Sequence, residues 1–228
     1  MRIRHASGFT LTEAAIVLVV VGLLLGGLMT TLPQQIAQRR ADLTRSRLEL
    51  AREALLGFAV SQGRLPCPAT ASSHGDEVPG GGGHCAGNDG LLPGRTLGLD
   101  RLDAEAHYTD GWDRPIRYAL ASDHGSHRFS TAEGMRQAGL GMPFTGLRVC
   151  SDLACSDIQG KGLVAVLLST GAEGPGANGI DEAANLDGDA DFVAHEPRET
   201  AGNRFDDQLV WLPPVILYNR MVMAGQLP

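Results

Sequence analysis

From Ala14 to Met29 the chain carries no polar side chain, and the run is entered past a single carboxylate, Glu13. Taken as a helix, the 24 residues from Phe9 to Leu32 extend about 36 Å at a rise of about 1.5 Å per residue. The hydrocarbon core of a bilayer needs only about 30 Å. Three readings fit such a segment. A cleaved secretory signal peptide wants a small-residue site just after the apolar run. Gly26 and Gly27 are small, but Met29-Thr30-Thr31-Leu32-Pro33 matches that site poorly. An ordinary single-pass anchor accommodates the length and leaves Glu13 unexplained. The third reading gives Glu13 a role. A carboxylate at a membrane helix centre costs about 2.5–3.5 kcal/mol on insertion scales, and intramembrane carboxylates are as a rule paired and functional.

Ahead of the run stands a short basic and polar octapeptide, Met1 to Gly8. The string Gly8-Phe9-Thr10-Leu11-Thr12-Glu13 followed by apolar residues resembles the class III signal of the type IV pilin-like family, which includes type IV prepilins and type II secretion pseudopilins. In that family a membrane peptidase cuts after the glycine and methylates the new amine, and the glutamate serves assembly. The resemblance implies cleavage between Gly8 and Phe9, methylation of Phe9 and an assembly role for Glu13. It also implies the partners: other pilin or pseudopilin subunits, the prepilin peptidase, an inner-membrane assembly platform and membrane lipid. The physics agrees. A freed amine at Phe9 is cationic and needs a counter-ion in an apolar filament core, which Glu13 supplies. Gly22, Gly26 and Gly27 allow close approach of helices.

Arg39, Arg40 and Arg45 follow the run, against Arg2 and Arg4 before it. Charge bias alone would put the following domain in the cytoplasm. The prepilin resemblance and the paired cysteines place it instead in the periplasm, on a single-pass inner-membrane protein later drawn into a filament.

Beyond Pro33 the pattern becomes amphipathic. Ile36, Leu43, Leu50, Ala51, Ala54, Leu55 and Phe58 recur at helical spacing, with arginines between them. One helix bent near Pro33 is expected, ending at Gly63 and the Leu65-Pro66-Cys67-Pro68 run. The organisation read from the chain is a leader at 1–8, a transmembrane assembly helix at 9–32, an amphipathic stem at 33–62 and a head at 63–228.

Thirty glycines and twelve prolines make the head loop-rich. Strand signals fall at Pro115–Leu120, His127–Ser130, Gly146–Cys150, Gly162–Leu168 and Gln208–Trp211, without helices between them. They predict an α+β fold: the stem helix laid on an antiparallel sheet, long loops, and a short helix over Pro214–Ala224. Cys67, Cys85, Cys150 and Cys155 fall into two local pairs, which behind an export segment favours the disulfides Cys67–Cys85 and Cys150–Cys155. A zinc site from Cys67, His74, His84 and Cys85 has the wrong spacing.

Two further stretches extend the resemblance. Asp110-Gly111-Trp112-Asp113-Arg114-Pro115-Ile116-Arg117-Tyr118 is similar to the D-x-W-x-x-P-x-x-Y segment of major pseudopilins. Leu168-Ser169-Thr170-Gly171-Ala172-Glu173-Gly174 resembles their turn into a calcium-binding loop. Residues 64–107 and the C-terminal helix have no counterpart in the short major pseudopilins, which favours a minor subunit.

The run from Asn185 through Asp187, Asp189 and Asp191 to Glu196 offers alternate oxygen ligands of the kind calcium takes. Ala190 stands where an EF-hand loop needs glycine, so the choice lies between a pseudopilin-type calcium loop and a solvated acidic loop. Gly174–Gly179 fits G-x-G-x-x-G but opens no βαβ unit and reads as a turn. Ser169 lacks a nucleophile-elbow context, and His124 and His127 sit in a Gly/Ser-rich turn, so no enzyme is expected. A formal net charge of −7 argues against a nucleic-acid partner. The functional expectation is a structural filament subunit. Its rivals are a tip-located minor pilin acting in priming or adhesion, and a membrane-anchored periplasmic enzyme or binding protein.

Overall fold

A computed structural model describes residues 10–29, 32–122, 128–139, 145–175, 179–200 and 202–227. The chain divides into two units, Met1–Arg40 and Ala41–Pro228.

In the first unit, α1 spans Leu11–Met29. Thr10 caps it: its hydroxyl accepts from Glu13 N at 3.3 Å and its carbonyl from Ala14 N at 3.1 Å. The second helix, α2, runs Leu32–Gln62 and crosses the unit boundary. Pro33 is therefore in the first turn of a helix, where its missing N–H removes no intrahelical bond. The bend is expected near Pro33, and residues 30 and 31 just before it lie outside the described residues. Among the described residues no helix is long and apolar enough to cross a membrane; residues 9, 30 and 31 of the span expected at 9–32 lie outside them.

The second unit contains, in chain order, β1 (Asp89–Leu91), β2 (Arg117–Leu120), α3 (Ala132–Ala138), β3 (Leu147–Cys150), β4 (Ile158–Leu163), β5 (Ala165–Ser169), α4 (Ile180–Ala184), β6 (Asp191–Val193), β7 (Arg198–Thr200), β8 (Asn203–Phe205), β9 (Gln208–Leu212) and α5 (Pro214–Met223). The main sheet is antiparallel in the order β1-β2-β5-β9. All five residues of β5 are buried, as expected of an inner strand covered on both faces. A second sheet, β4-β3-β6, contains a parallel pair, Arg148–Cys150 beside Asp191–Val193. The α+β class, the antiparallel main sheet and the short C-terminal helix agree with the sequence reading, and the parallel β3–β6 pair is an addition to it. The chain reaches β6 through α4, and such a connection allows a parallel neighbour. Arg128–Ser130, expected in a strand, forms a turn instead. The apolar run 162–168 is broken at Val164, after Gly162 takes a positive φ of 62°.

The stem seals the core with only part of the expected stripe: Ala51 and Leu55 are buried as expected, and the rest of the buried face is set differently. Leu48, Ala51, Leu55 and Ala59 are buried, with Thr44 one turn earlier, while Ile36, Leu43 and Leu50 are 53%, 43% and 56% exposed. At about 100° per residue the exposed Ile36, Leu43 and Leu50 lie roughly 120° round the helix from the buried stripe. The buried stripe joins Tyr118, Leu120, Val166 and Leu212 in one apolar cluster.

Polar contacts fix the stem's register. Thr44 Oγ1 accepts from Gly111 N at 2.9 Å, and Arg47 donates to the carbonyls of Thr109 and Asp110. Residues 64–107 are organised around a buried ion pair. Arg64 donates to both oxygens of Glu77 at 2.8 and 2.7 Å, and Glu77 also accepts from Cys67 N at 3.0 Å and Gly81 N at 3.2 Å. The Cys67–Cys85 disulfide closes the same loop with a Cα–Cα distance of 5.3 Å, and Cys150–Cys155 closes the β3–β4 turn at 4.9 Å. Bonded in this way, Cys67 and Cys85 offer no thiolate to zinc.

Candidate functional site

Two places carry chemistry: the N-terminal helix and a group of carboxylates in the head. Gly8 and Phe9, the expected cleavage and methylation residues, lie outside the described residues. Glu13 is exposed in the first turn of α1. Thr10 and Glu13 stand in the T-x-x-E spacing of a capping box, and an acid in the first turn also meets the positive end of the helix dipole. Glu13 thus has a local structural role besides the assembly role implied by resemblance.

From Leu11 to Leu23 the apolar side chains of α1 are exposed in every direction. Leu11, Ile16, Val17, Leu18, Val19, Val20, Val21 and Leu23 range from 43% to 89% exposed, and at about 100° per residue they circle the helix. A helix apolar all round is of the kind buried in the core of a large protein or in a membrane.

In the head, the residues of the acidic run make hydrogen bonds and an ion pair within the chain. Asn185 is 2% exposed and fully engaged: its amide donates to Val193 O at 3.0 Å and Asp207 Oδ2 at 2.8 Å, and its carbonyl accepts from Val193 N at 2.7 Å. Asp187 accepts from Asp189 N at 3.0 Å, and Asp189 from Asp191 N at 2.7 Å. Asp191 is paired with Arg148, and Glu196 is exposed. These residues form successive side-chain turns that lead the chain into β6.

Another set converges. Glu182, Asp206 and Asp207 each place one carboxylate oxygen within 4.8 Å of the others. Glu182 and Asp207 are 5% and 6% exposed. Glu182 Oε1 accepts from Asp206 N at 2.9 Å. Asp206 Oδ2 accepts from Ala172 N at 2.7 Å and Glu173 N at 3.3 Å. Burial raises all three carboxyls, aided by neighbouring carboxylates. Asp207 is pushed up to about 7 by burial first and by Glu182 and Asp206 next, against the lowering effect of Asn185.

Sequence reasoning passed over this set because its members lie far apart in the chain. The available signal was the pair Asp206-Asp207 directly before a strand, facing a second pair, Asp181-Glu182, at a helix start. A further trio, Asp103, Glu105 and His107, belongs to a turn in which Asp103 Oδ1 accepts from Glu105 N and His107 N at 3.0 and 2.7 Å. In the glycine-rich stretch, Gly174 packs on the Arg114 guanidinium at a φ of 82°, residues 176–178 lie outside the description, and α4 is only five residues long. His124 and His127 also lie outside it. No protein-family model, no curated protein and no solved structure matches this chain.

Proposed function

We propose that the chain is a structural subunit of a type IV pilus-like or type II secretion pseudopilus filament. On this reading it is made as a precursor, cut between Gly8 and Phe9 by a prepilin peptidase, methylated at Phe9, held in the inner membrane and assembled through its N-terminal helix. The observation that carries the reading is α1, apolar throughout and, from Leu11 to Leu23, exposed on every side behind a single acidic residue. Such a helix is stable in lipid and equally in a bundle of its own kind, as extraction from a membrane into a filament requires. The elaborate 64–107 segment, held by Arg64–Glu77 and Cys67–Cys85, supports a minor rather than a bulk subunit.

N-terminal mass spectrometry of membranes from cells expressing the full chain with the peptidase tests the first step. The expected mature start is N-methylated Phe9. An intact Met1, or a start near Thr30, overturns the reading. Low abundance relative to other pilins in sheared filaments is expected of a minor subunit, and a stoichiometric amount contradicts it.

A further inference from the structure

The 64–107 segment ends in a tight turn, Asp103-Ala104-Glu105-Ala106-His107, with three metal-ligating side chains in five residues. Asp103 N donates to His107 O at 2.9 Å, and Ala106 takes a left-handed φ of 64°. Gly75 backs the turn so closely that a Cβ there would lie 2.1 Å from the Ala106 carbonyl oxygen. One oxygen of Asp103, one of Glu105 and a ring nitrogen of His107 come within 4.8 Å of one another.

The turn's own hydrogen bonds use only half of the Asp103 carboxylate. Oδ1 accepts from Glu105 N and His107 N. Oδ2 accepts from no donor among the described residues and faces His107 Nδ1 at 3.5 Å. That separation exceeds the about 2.7–3.2 Å of an N–H···O hydrogen bond. His107 is only 7% exposed. Its Nε2 is buried without a partner, and among the described residues neither ring nitrogen makes a hydrogen bond. A polar ring withdrawn from water with both nitrogens unbonded is costly. The nearest arginine in sequence, Arg101, pairs with neither carboxylate, and among the described residues no other arginine or lysine does.

We propose that Asp103 Oδ2, Glu105 and His107 Nδ1 bind one zinc ion. Zinc holds imidazole nitrogen at about 2.0–2.1 Å and carboxylate oxygen at about 2.0–2.2 Å, which puts neighbouring ligands of a tetrahedron roughly 3.3–3.5 Å apart. The Nδ1–Oδ2 distance of 3.5 Å matches that spacing. Glu105 is exposed, and its side chain closes on the ion as the third ligand. The backbone donors on Asp103 Oδ1 orient the ligand oxygen, as outer-shell contacts do at metal sites. A mixed nitrogen and oxygen set suits zinc, whereas calcium and magnesium take oxygen. The fourth tetrahedral position stays open beside Glu105, for water or for a donor from another molecule.

The test uses the full, untagged chain in detergent, stripped with chelator and titrated with zinc chloride. Calorimetry, thermal unfolding and zinc X-ray absorption are the readouts. One zinc per chain, a raised Tm and a spectrum with one imidazole, oxygen ligands and no sulfur are expected. Glu105→Gln, at an exposed position, weakens binding at least tenfold. Asp103→Asn, which keeps an oxygen for the two backbone donors, and His107→Gln do the same, and Asp187→Asn leaves binding unchanged. Absence of any zinc-dependent heat or Tm shift in the unsubstituted chain overturns the proposal, whatever the variants do. Undiminished binding in Glu105→Gln and Asp103→Asn, or a spectrum without imidazole, overturns the assignment of the ligands, and tighter binding of calcium than zinc overturns the chemistry. Because the unassembled chain is measured, the outcome is independent of the filament reading.

Discussion

The hydroxyl of Ser169, at the end of β5, donates to the buried carboxylate of Asp110 at 2.5 Å. The other oxygen of Asp110 accepts from Trp112 N at 2.8 Å and Arg114 N at 3.0 Å. One carboxylate thus binds the end of an inner strand to the turn that touches the stem. Ser169→Ala leaves Asp110 Oδ2 short of a donor, and about 1–3 kcal/mol of unfolding free energy should be lost. Asp110→Ala strips three donors and should cost more than Ser169→Ala. Chemical denaturation of both variants and the double variant measures this. The double variant should cost less than the sum of the singles, since the contact can be lost only once, and strict additivity would contradict the coupling.

The rotated stem stripe separates two leucines of similar sequence context. Leu55→Ala empties a fully buried position and should destabilise the head by about 2–5 kcal/mol. Leu50→Ala removes an exposed side chain and should stay within about 0.5 kcal/mol. Equal losses in thermal or urea unfolding would mean that the stem packs by its other face.

That pair also marks how far the sequence could be read. Helical periodicity from Ile36 to Phe58 located the stem but not its buried face. The buried stripe keeps Ala51 and Leu55 from the expected set but adds Thr44, Leu48 and the small Ala59, while the bulkier Ile36, Leu43 and Leu50 face outward. The α+β class followed from strand signals clustered after one long helix. The three-residue strands β1, β6, β7 and β8 are too short to show alternation, so the second sheet and its parallel pair could not be foreseen. The acidic run was legible as acidic. That Asn185 would turn inward to serve Val193 and Asp207, leaving convergence to Glu182 and Asp206-Asp207, depends on tertiary proximity that no local spacing encodes.

Glu13→Ala tests the assembly role. The helix becomes more apolar, so membrane insertion should be undiminished. Loss of an acid from the first turn costs only about 0.3–1 kcal/mol of helix stability. Under the proposed function the larger loss is the partner of a neighbouring Phe9 amine, at about 3–5 kcal/mol for one member of a buried pair. Normal membrane levels and strong depletion from sheared filaments are expected, with Glu13→Gln milder because an amide still accepts a hydrogen bond. Wild-type incorporation of Glu13→Ala would refute the assembly role and leave α1 as an anchor.

Alkaline pH should act through Tyr118. Burial, reinforced by Glu77 and opposed by Arg64, holds its phenol well above the usual value, and its hydroxyl donates to Pro66 O at 3.1 Å. The folded state therefore keeps this proton when an unfolded tyrosine, with a pKa of about 10, has lost it. The stabilising contribution is complete below about pH 10 and shrinks as pH rises toward the folded value. Tyr118→Phe should flatten the fall in Tm above about pH 10 while lowering Tm at neutral pH, where the Pro66 carbonyl loses its donor. Parallel Tm profiles for both proteins through that range would exclude the tyrosine as the cause.

Thr44 and Arg47 grip the Thr109–Gly111 turn, and Asp110 passes that grip to Ser169. Tension applied along the stem would therefore enter the main sheet near its two inner strands, β2 and β5, rather than at its edges. The stem's apolar stripe against the core lies parallel to that pull, so contacts along α2 share the load instead of parting one by one. The head is in effect harnessed at its middle.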